Sequence, residues 1–360
     1  MVLVFFQIEC VEAKKWIHKY PKHMVAHKVC GNDSRLERKY CLEIIEFKYK
    51  SKIPKKSAAL LVSGFFQNVH IWDLVPEDQI SLAQYMMENY GIHPYVLHVR
   101  GIGNSDYLPD TNLDDISIDD IPMALNFLTQ KEKDKVILMG HSQGAITSLA
   151  SLSGLSRCGK NNNCFKKEIA DKRQQRVKTL GLLAGNSAMT IDNEDNFLLK
   201  LAPLGWNRKI QTTLRWLDEI DIELATKFTG PLAMIGLWDN LYLIENVTPK
   251  SRKALWKKTV DTTSGNITIQ FANAIKTRDL LSIGGHSYSK HSKFVNLPVI
   301  QQTYANDQLA EPFPTRTDSF SNIGSNNKQF NLVPNCAHED FFMEKSLHAL
   351  LDPVFQFVTN

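Results

Sequence analysis

Short apolar segments alternate with amphipathic segments along most of this chain, starting at about residue 58. Before that point one stretch of alternating apolar and polar residues, 40–49, predicts an early antiparallel strand. Apolar runs that end in turns then predict buried strands at 58–62, 95–99, 136–139 and 179–183, and helical periodicity predicts helices at 76–90, 117–130 and 145–155. This order indicates an α/β fold with a mostly parallel sheet and helices on both faces.

The alternation is interrupted between residues 187 and 294. This stretch has helix-like segments at 197–204, 211–228 and 250–260 and no regular succession of strands. Strands are predicted again at 297–303 and 329–333, followed by a terminal helix at 341–358. The pattern therefore predicts a core in two parts, 1–186 and 295–360, with a largely helical cap inserted at 187–294.

The pentapeptide Gly140-His141-Ser142-Gln143-Gly144 matches G-x-S-x-G and joins a predicted strand directly to a predicted helix. A nucleophile elbow needs this setting, because its strained turn exposes the serine hydroxyl at the end of a strand. We therefore predict Ser142 as a nucleophile; the alternative is an idle serine in a glycine-rich turn. A similar segment, Gly285-His286-Ser287-Tyr288-Ser289, lacks the second glycine, follows no clear strand and is predicted to be a loop.

An elbow of this kind works with two backbone N–H groups that stabilise an oxyanion. One donor should be Gln143, the residue after the nucleophile. The other should come from the loop after strand 58–62, where Ser63-Gly64 precedes two phenylalanines. Phe65 is the preferred donor, and Phe66 is the alternative.

His338 follows strand 329–333 and precedes the terminal helix, where a general base could face the serine. The alternative is a surface histidine near a helix start. His141, inside the elbow, is expected to be a packing residue. Two aspartates follow apolar segments, Asp239 after 231–238 and Asp307 after 298–306. We prefer Asp307 as the triad acid, because one helix and one strand fit between it and His338, whereas Asp239 would leave strand 297–303 without a role.

Composition adds limits to this picture. The chain has 360 residues, of which 43% are hydrophobic and 22% charged, as in soluble globular proteins. The net charge of +4 forms no basic stripe, so we expect no nucleic-acid partner, although it would favour peripheral contact with an anionic lipid surface. No run approaches the ~20 apolar residues of a membrane span, and residues 1–8 are too short for a signal peptide's apolar region. The expectation is a soluble protein, cytoplasmic or exported with a trimmed signal, of undetermined oligomeric state.

Cysteine spacing leaves the compartment open. Cys30 and Cys41 flank a turn, and Cys158 and Cys164 bracket a polar loop. Each pair would form a short-loop disulfide in an exported protein and would remain free thiols in the cytosol. The chain has no C-x-x-C pair, so we expect no structural zinc site.

Together these features resemble the α/β-hydrolase superfamily and, within it, the acid lipase branch of gastric and lysosomal lipases. The resemblance rests on the Ser142 pentapeptide, on Asn306-Asp307-Gln308-Leu309-Ala310-Glu311-Pro312, on His338-Glu339-Asp340-Phe341, and on a cap placed before the acid strand. It implies a triad of Ser142, Asp307 and His338, oxyanion donors Phe65 and Gln143, long-chain acyl ester substrates and no cofactor. The chain has Ser63-Gly64 where that branch has His-Gly.

The predicted function is therefore hydrolysis of carboxylic esters through an acyl-enzyme on Ser142, with acyl lipids as the substrate class that the resemblance implies. An acyltransferase with the same triad and a non-catalytic ligand-binding protein of the same fold are the alternatives. Four tryptophans of the cap could line an acyl tunnel or form the cap's own core: Trp206, Trp216, Trp238 and Trp256.

Overall fold

The computed structural model describes residues 19–74, 80–108, 110–159, 162–193, 241–261 and 263–360, apart from the side chain of Trp256. The strands in these segments are β1 (Met24–Asn32), β2 (Lys39–Phe47), β3 (Ser57–Val62), β4 (Ile92–His98), β5 (Val136–His141), β6 (Leu155–Gly159), β7 (Asn162–Phe165), β8 (Val177–Leu183), β9 (Val299–Tyr304) and β10 (Lys328–Val333).

The helices in the same segments are α1 (Leu82–Tyr90), α2 (Leu113–Asp115), α3 (Ile121–Glu132), α4 (Gln143–Leu152), α5 (Lys167–Gln174), α6 (Pro249–Lys258), α7 (Gly265–Thr277), α8 (Tyr288–His291), α9 (Pro312–Pro314), α10 (Asp340–Met343), α11 (Lys345–His348) and α12 (Asp352–Thr359). A π-helical turn, Ile116–Asp120, joins α2 to α3, and another, Thr315–Ser319, follows α9.

Eight of the described strands form one sheet in the order β1-β2-β4-β3-β5-β8-β9-β10. The six strands from β4 to β10 in this order are parallel to one another, and β2 is antiparallel to both of its neighbours, β1 and β4. The early antiparallel strand and the mostly parallel sheet are thus confirmed. Because all parallel strands end at one edge, the loops after β3, β5, β9 and β10 share that edge, where ligands of such sheets bind.

Side chains of each strand point alternately to the two faces of the sheet, and this divides the core into two layers. In β3, Leu61 packs on the same face as Met86 of α1 and Phe355 of α12, whereas Leu60 packs on the opposite face with Leu149 of α4. Successive side chains of a strand point to opposite faces, so a strand covered on both sides is apolar throughout. This explains why the buried strands read as continuous apolar runs.

Several predicted helices have different bounds in the structure. The helix predicted at 76–90 begins at Leu82, because Ser81 caps its first turn. The terminal helix is divided into α10, α11 and α12, because Glu344 is extended and its Oε1 accepts hydrogen bonds from the Thr248 N–H and the Ser251 hydroxyl. The helix predicted at 145–155 ends at Leu152, since Gly154 takes a positive φ of 86° and the β6–β7 hairpin follows. The helices predicted at 197–204 and 211–228 lie outside the described residues.

The predicted cap lies in sequence between β8 and β9. From residue 241 onward it contains α6 and α7, and α7 packs Ile267 and Ile275 into the core layer that contains α4. The division at 187 and 294 stays a prediction.

Both predicted cysteine pairs, Cys30–Cys41 and Cys158–Cys164, are disulfide-bonded in the structure, and Cys336 is a buried free thiol. Within the described segments, no helix combines the length and the apolar character needed to cross a bilayer.

Candidate active site

Ser142 lies in the turn between β5 and α4 and is half-buried. Its backbone has φ 52° and ψ −119°, a positive-φ conformation that a residue with a side chain rarely adopts. The Ser142 N–H donates to Leu183 O of β8 (2.8 Å), and its carbonyl accepts the N–H of Ile146 in α4 (3.1 Å). These bonds hold the strained residue between sheet and helix, as a nucleophile elbow requires.

The two glycines of the pentapeptide are needed because strand and helix are in close contact. A Cβ at Gly140 would meet the backbone of Gly144 and Ala145, and a Cβ at Gly144 would meet the carbonyl oxygens of Val62 and Ser63. Because these obstacles are backbone atoms, no side chain could move aside to admit a larger residue.

His338 and Asp307 are hydrogen-bonded to each other in the loops after β10 and β9. The distance from His338 Nδ1 to Asp307 Oδ2 is 2.8 Å, and both residues are about 2% exposed. Asp307 Oδ1 accepts the backbone N–H groups of Leu309 (2.8 Å) and Ala310 (2.9 Å). An ionised carboxylate can only accept, so the proton of a neutral His338 lies on Nδ1 and Nε2 is left as the basic nitrogen.

The His338 loop lies against the elbow through His141, the residue before Ser142. The two imidazole ring centroids are 4.8 Å apart, and His141 Nε2 is 3.2 Å from the carbonyl oxygen of His338. Phe341 and Phe342 also pack against the His141 ring, which is fully buried. His141 therefore packs the base loop onto the nucleophile turn.

The pKa values of the two histidines are shifted in opposite directions. Burial lowers the pKa of His338, but the charge and hydrogen bond of Asp307 outweigh burial, so the pKa is raised above its usual 6.5. Burial, together with the charge of His338, lowers the pKa of His141 well below that value. His338 is thus the ring of this pair that can take up a proton near neutral pH.

The loop after β3 contributes the second predicted oxyanion donor. The N–H groups of Phe65 and Gln143 donate to no acceptor in the described part of the chain, so both are available as donors; for Gln143 this is ordinary, because it is the first residue of α4. Phe66, the alternative donor, has a positive φ of 52°, and its carbonyl accepts the N–H of Asp261 (2.8 Å). The ring of Phe65 packs edge-on against Phe271 of α7.

No protein-family model and no curated protein sequence matches this chain. Similar solved structures include an esterase from Thermogutta terrifontis, with a TM-score of 0.58 at 14% identity over 93% of this chain and 100% of the esterase. A monoacylglycerol lipase from Paleococcus ferrophilus has a TM-score of 0.56 at 13% identity over 88% of this chain and 98% of its own. A soluble variant of the monoglyceride lipase from Saccharomyces cerevisiae has a TM-score of 0.57 at 13% identity, over 93% of this chain and 94% of the lipase.

This is the α/β-hydrolase fold. The predicted residues lie on loops at its sheet edge: His338, hydrogen-bonded to Asp307, packs on His141, the residue before Ser142. Gln143 directly follows Ser142, and the loop of Phe65 starts beside Gly144 of the same turn. The competing acid, Asp239, lies outside the described residues, as do Trp206, Trp216 and Trp238 of the suggested acyl tunnel and the side chain of Trp256. Ser287, in the second serine motif, accepts the N–H of Lys290 at the start of α8 and donates to Asp279 Oδ1 (2.7 Å), which is a structural role.

Residues 241–260, in the predicted insertion, are hydrogen-bonded to two of the loops at this edge. On one side Glu339 N donates to Leu241 O (2.8 Å), beside His338. On the other side Asn68 N donates to Thr259 O (2.9 Å), and Gln67 and Val260 form an antiparallel bridge. Residues 241–260 therefore support both the loop of His338 and the loop of Phe65.

Gln67 and Glu339 are polar residues of the site that sequence reasoning missed. Both are buried, and Gln67 Nε2 donates to Glu339 Oε1 although 272 residues separate them. Glu339 could have been singled out only as the neighbour of His338, and no spacing in the sequence points to Gln67. The link depends on how the loops after β3 and β10 meet.

Proposed function

We propose that this protein is a carboxylic ester hydrolase that works through an acyl-enzyme on Ser142, with His338 as general base and Asp307 as the acid of the triad. The observation that carries the proposal is the buried His338–Asp307 hydrogen bond of 2.8 Å, in a loop that packs on His141, the residue before the strained Ser142. That pair leaves His338 Nε2 as the basic nitrogen, which is the atom a serine nucleophile needs as its proton acceptor.

In the proposed reaction, Ser142 Oγ attacks the acyl carbonyl carbon while His338 Nε2 takes the hydroxyl proton. The N–H groups of Phe65 and Gln143 stabilise the negative charge on the tetrahedral oxygen. The ester C–O bond then breaks, and His338 gives its proton to the leaving alcohol. A water molecule, deprotonated by His338, attacks the acyl-enzyme; Ser142 recovers its proton from His338 as the carboxylic acid departs.

We further propose acyl lipids as the substrate class and residues 187–294 as the cap. The resemblance of the motifs around Ser142, Asp307 and His338 to acid lipases supports the substrate class, and the naming of two structural neighbours as monoacylglycerol and monoglyceride lipases agrees with it. The position of the insertion before the acid strand β9 supports the cap assignment.

A fluorophosphonate probe tests the nucleophile, because it phosphonylates only a serine activated by a neighbouring base. We expect the wild-type chain to be labelled, Ser142→Ala to be unlabelled and Ser287→Ala, the control in the second serine motif, to be labelled as fast as wild type. An unlabelled wild-type chain would refute the hydrolase. A panel of p-nitrophenyl and glycerol esters tests the substrate class, since preference for acetate over long acyl chains would exclude a lipase but not an esterase.

A further inference from the structure

A buried amide connects three parts of the site. Gln67 Nε2 donates to Glu339 Oε1, in the base loop. At its other end, Gln67 Oε1 accepts the backbone N–H of Gly64 (3.1 Å), the residue before Phe65, and lies 3.3 Å from His141 Nδ1 in the elbow. One side chain therefore contacts the oxyanion loop, the nucleophile turn and the base loop.

Glu339 depends on this contact because its surroundings solvate it poorly. Its side chain is about 3% exposed, and its second carboxyl oxygen, Oε2, has no hydrogen-bond partner in the described part of the chain. Burial raises the pKa of Glu339 to about 7, against the lowering effects of the His338 charge and the Gln67 hydrogen bond; Asp340 and Asp307 raise it further. Such a carboxyl is costly to bury, and among the described residues Gln67 is the donor to it, so loss of this hydrogen bond should destabilise the buried charge.

The neighbouring backbone shows what the bridge would position. Gly64 is bonded to Gln67 directly before the proposed donor Phe65, and Glu339 directly follows the proposed base His338. A shift of either loop would change the distance between the oxyanion N–H and the imidazole. Misplacement of about 1 Å can cost about 10²-fold in rate, so a rigid link between these loops matters for turnover.

We propose that Gln67 and Glu339 are positioning residues, whose hydrogen bond keeps the Phe65 N–H and the His338 ring at a fixed distance from each other. The inference rests on the proposed function, since it assigns a role within the same triad and oxyanion site. Neither residue touches the substrate; each acts through the loop it fixes.

The test compares Gln67→Met with Gln174→Met. Gln174 is a matched control, because its amide also joins separate segments: Nε2 donates to Leu152 O (3.0 Å) and Phe294 O (2.8 Å) at the end of α4 away from Ser142. We expect both variants to be less heat-stable. Only Gln67→Met should lower kcat for a p-nitrophenyl ester, by about 10- to 100-fold with KM nearly unchanged, because positioning acts on the transition state.

The reciprocal exchange, Gln67→Glu with Glu339→Gln, separates positioning from simple packing and covers the case in which Gln67→Met fails to fold. Gln67→Glu alone puts two carboxyl groups in contact and should lose activity at alkaline pH, where the pair no longer shares a proton that could restore the hydrogen bond. In the double variant an amide at 339 can donate to a carboxylate at 67, which can also accept the Gly64 N–H. We expect the double variant to recover at least about tenfold of the kcat lost in the single variant, as coupled pairs do.

The pH profile of Glu339→Gln gives a further readout. The groups that face Glu339 are His338, Asp307 and Asp340, and the Glu339 charge is one of the causes that raise the pKa of His338. Removing that charge should move the acid limb of kcat/KM to lower pH, whereas Gln174→Met should leave the limb in place. An unmoved limb would remove Glu339 from the proposal.

The outcomes distinguish the two proposals. A wild-type chain that does not react with fluorophosphonate overturns the hydrolase and the positioning role with it. If the wild type is reactive, two outcomes overturn the positioning role alone. One is that Gln67→Met and Gln174→Met have the same kcat; the other is that the double variant folds but is as inactive as Gln67→Glu.

Discussion

Replacing Asp307 by asparagine tests the triad with an almost isosteric change. Asp307 Oδ1 accepts two backbone N–H groups, from Leu309 and Ala310, whereas Oδ2 accepts only His338 Nδ1. The amide of Asn can place its oxygen on one of these sides only. Two hydrogen bonds of about 1 kcal/mol each outweigh one, so the oxygen should stay with the backbone and Nδ2 should face His338.

This orientation reverses the tautomer of His338. An NH₂ group opposite Nδ1 requires Nδ1 to accept, so the ring proton moves to Nε2, the atom that must take the Ser142 proton. The imidazolium formed in the reaction also loses its neighbouring carboxylate. We expect kcat to fall by about 10⁴-fold, the cost seen when a triad aspartate is exchanged for asparagine in serine proteases.

The assay is the steady-state hydrolysis of a p-nitrophenyl ester by wild type, Asp307→Asn and Asp239→Asn, with thermal unfolding as a check on the fold. Asp239→Asn should keep most of its turnover, because in this assignment Asp307, and not Asp239, orients His338. If Asp307→Asn stayed within about tenfold of wild type while Asp239→Asn lost orders of magnitude, the tautomer argument would be refuted and Asp239 would be the acid.

Three further predictions concern pH, the elbow and a disulfide. Because Asp307 raises the pKa of His338 above 6.5 and only the neutral ring is a base, kcat/KM should fall as the pH is lowered through an apparent pKa above that value; a midpoint below 6.5 would contradict this. Gly144→Ala should lower the free energy of unfolding by about 1–3 kcal/mol in urea titrations, since its methyl group meets the backbone oxygens of Val62 and Ser63. A variant as stable as the wild type would show that the elbow has room for a methyl group. Cys30→Ser should lower the free energy of unfolding by about 3 kcal/mol in the same titration, because the disulfide to Cys41, 11 residues away in sequence, restricts the unfolded chain. A urea midpoint equal to that of the wild type would show that the disulfide does not contribute to stability.

The fold could be predicted from sequence because its central strands are buried on both faces and read as apolar runs. Ser142 was readable for a related reason: the two glycines of its pentapeptide are required by backbone contacts, so the elbow has a sequence signature. His338 and Asp307 could be placed because each follows a strand whose end lies at the same sheet edge.

Other features depend on contacts that leave no periodic signal. Strand β1 and helix α7 were not predicted, and the terminal helix is interrupted because Glu344 turns to bond with Thr248 and Ser251, far away in sequence. The Gln67–Glu339 bridge is of the same kind, because it exists only where two loops meet. Local propensity carries no information about such partners.

The hydrogen bonds of residues 241–260 limit how this protein could be re-engineered or diversified. Leu241 accepts the backbone N–H of Glu339, beside His338, and Thr259 accepts that of Asn68, in the loop after Phe65, so residues 241–260 support both loops of the proposed site. Grafting a foreign cap in place of the whole of residues 187–294 would remove both supports at once. A chimera designed to accept new substrates should therefore rejoin the native chain before Leu241.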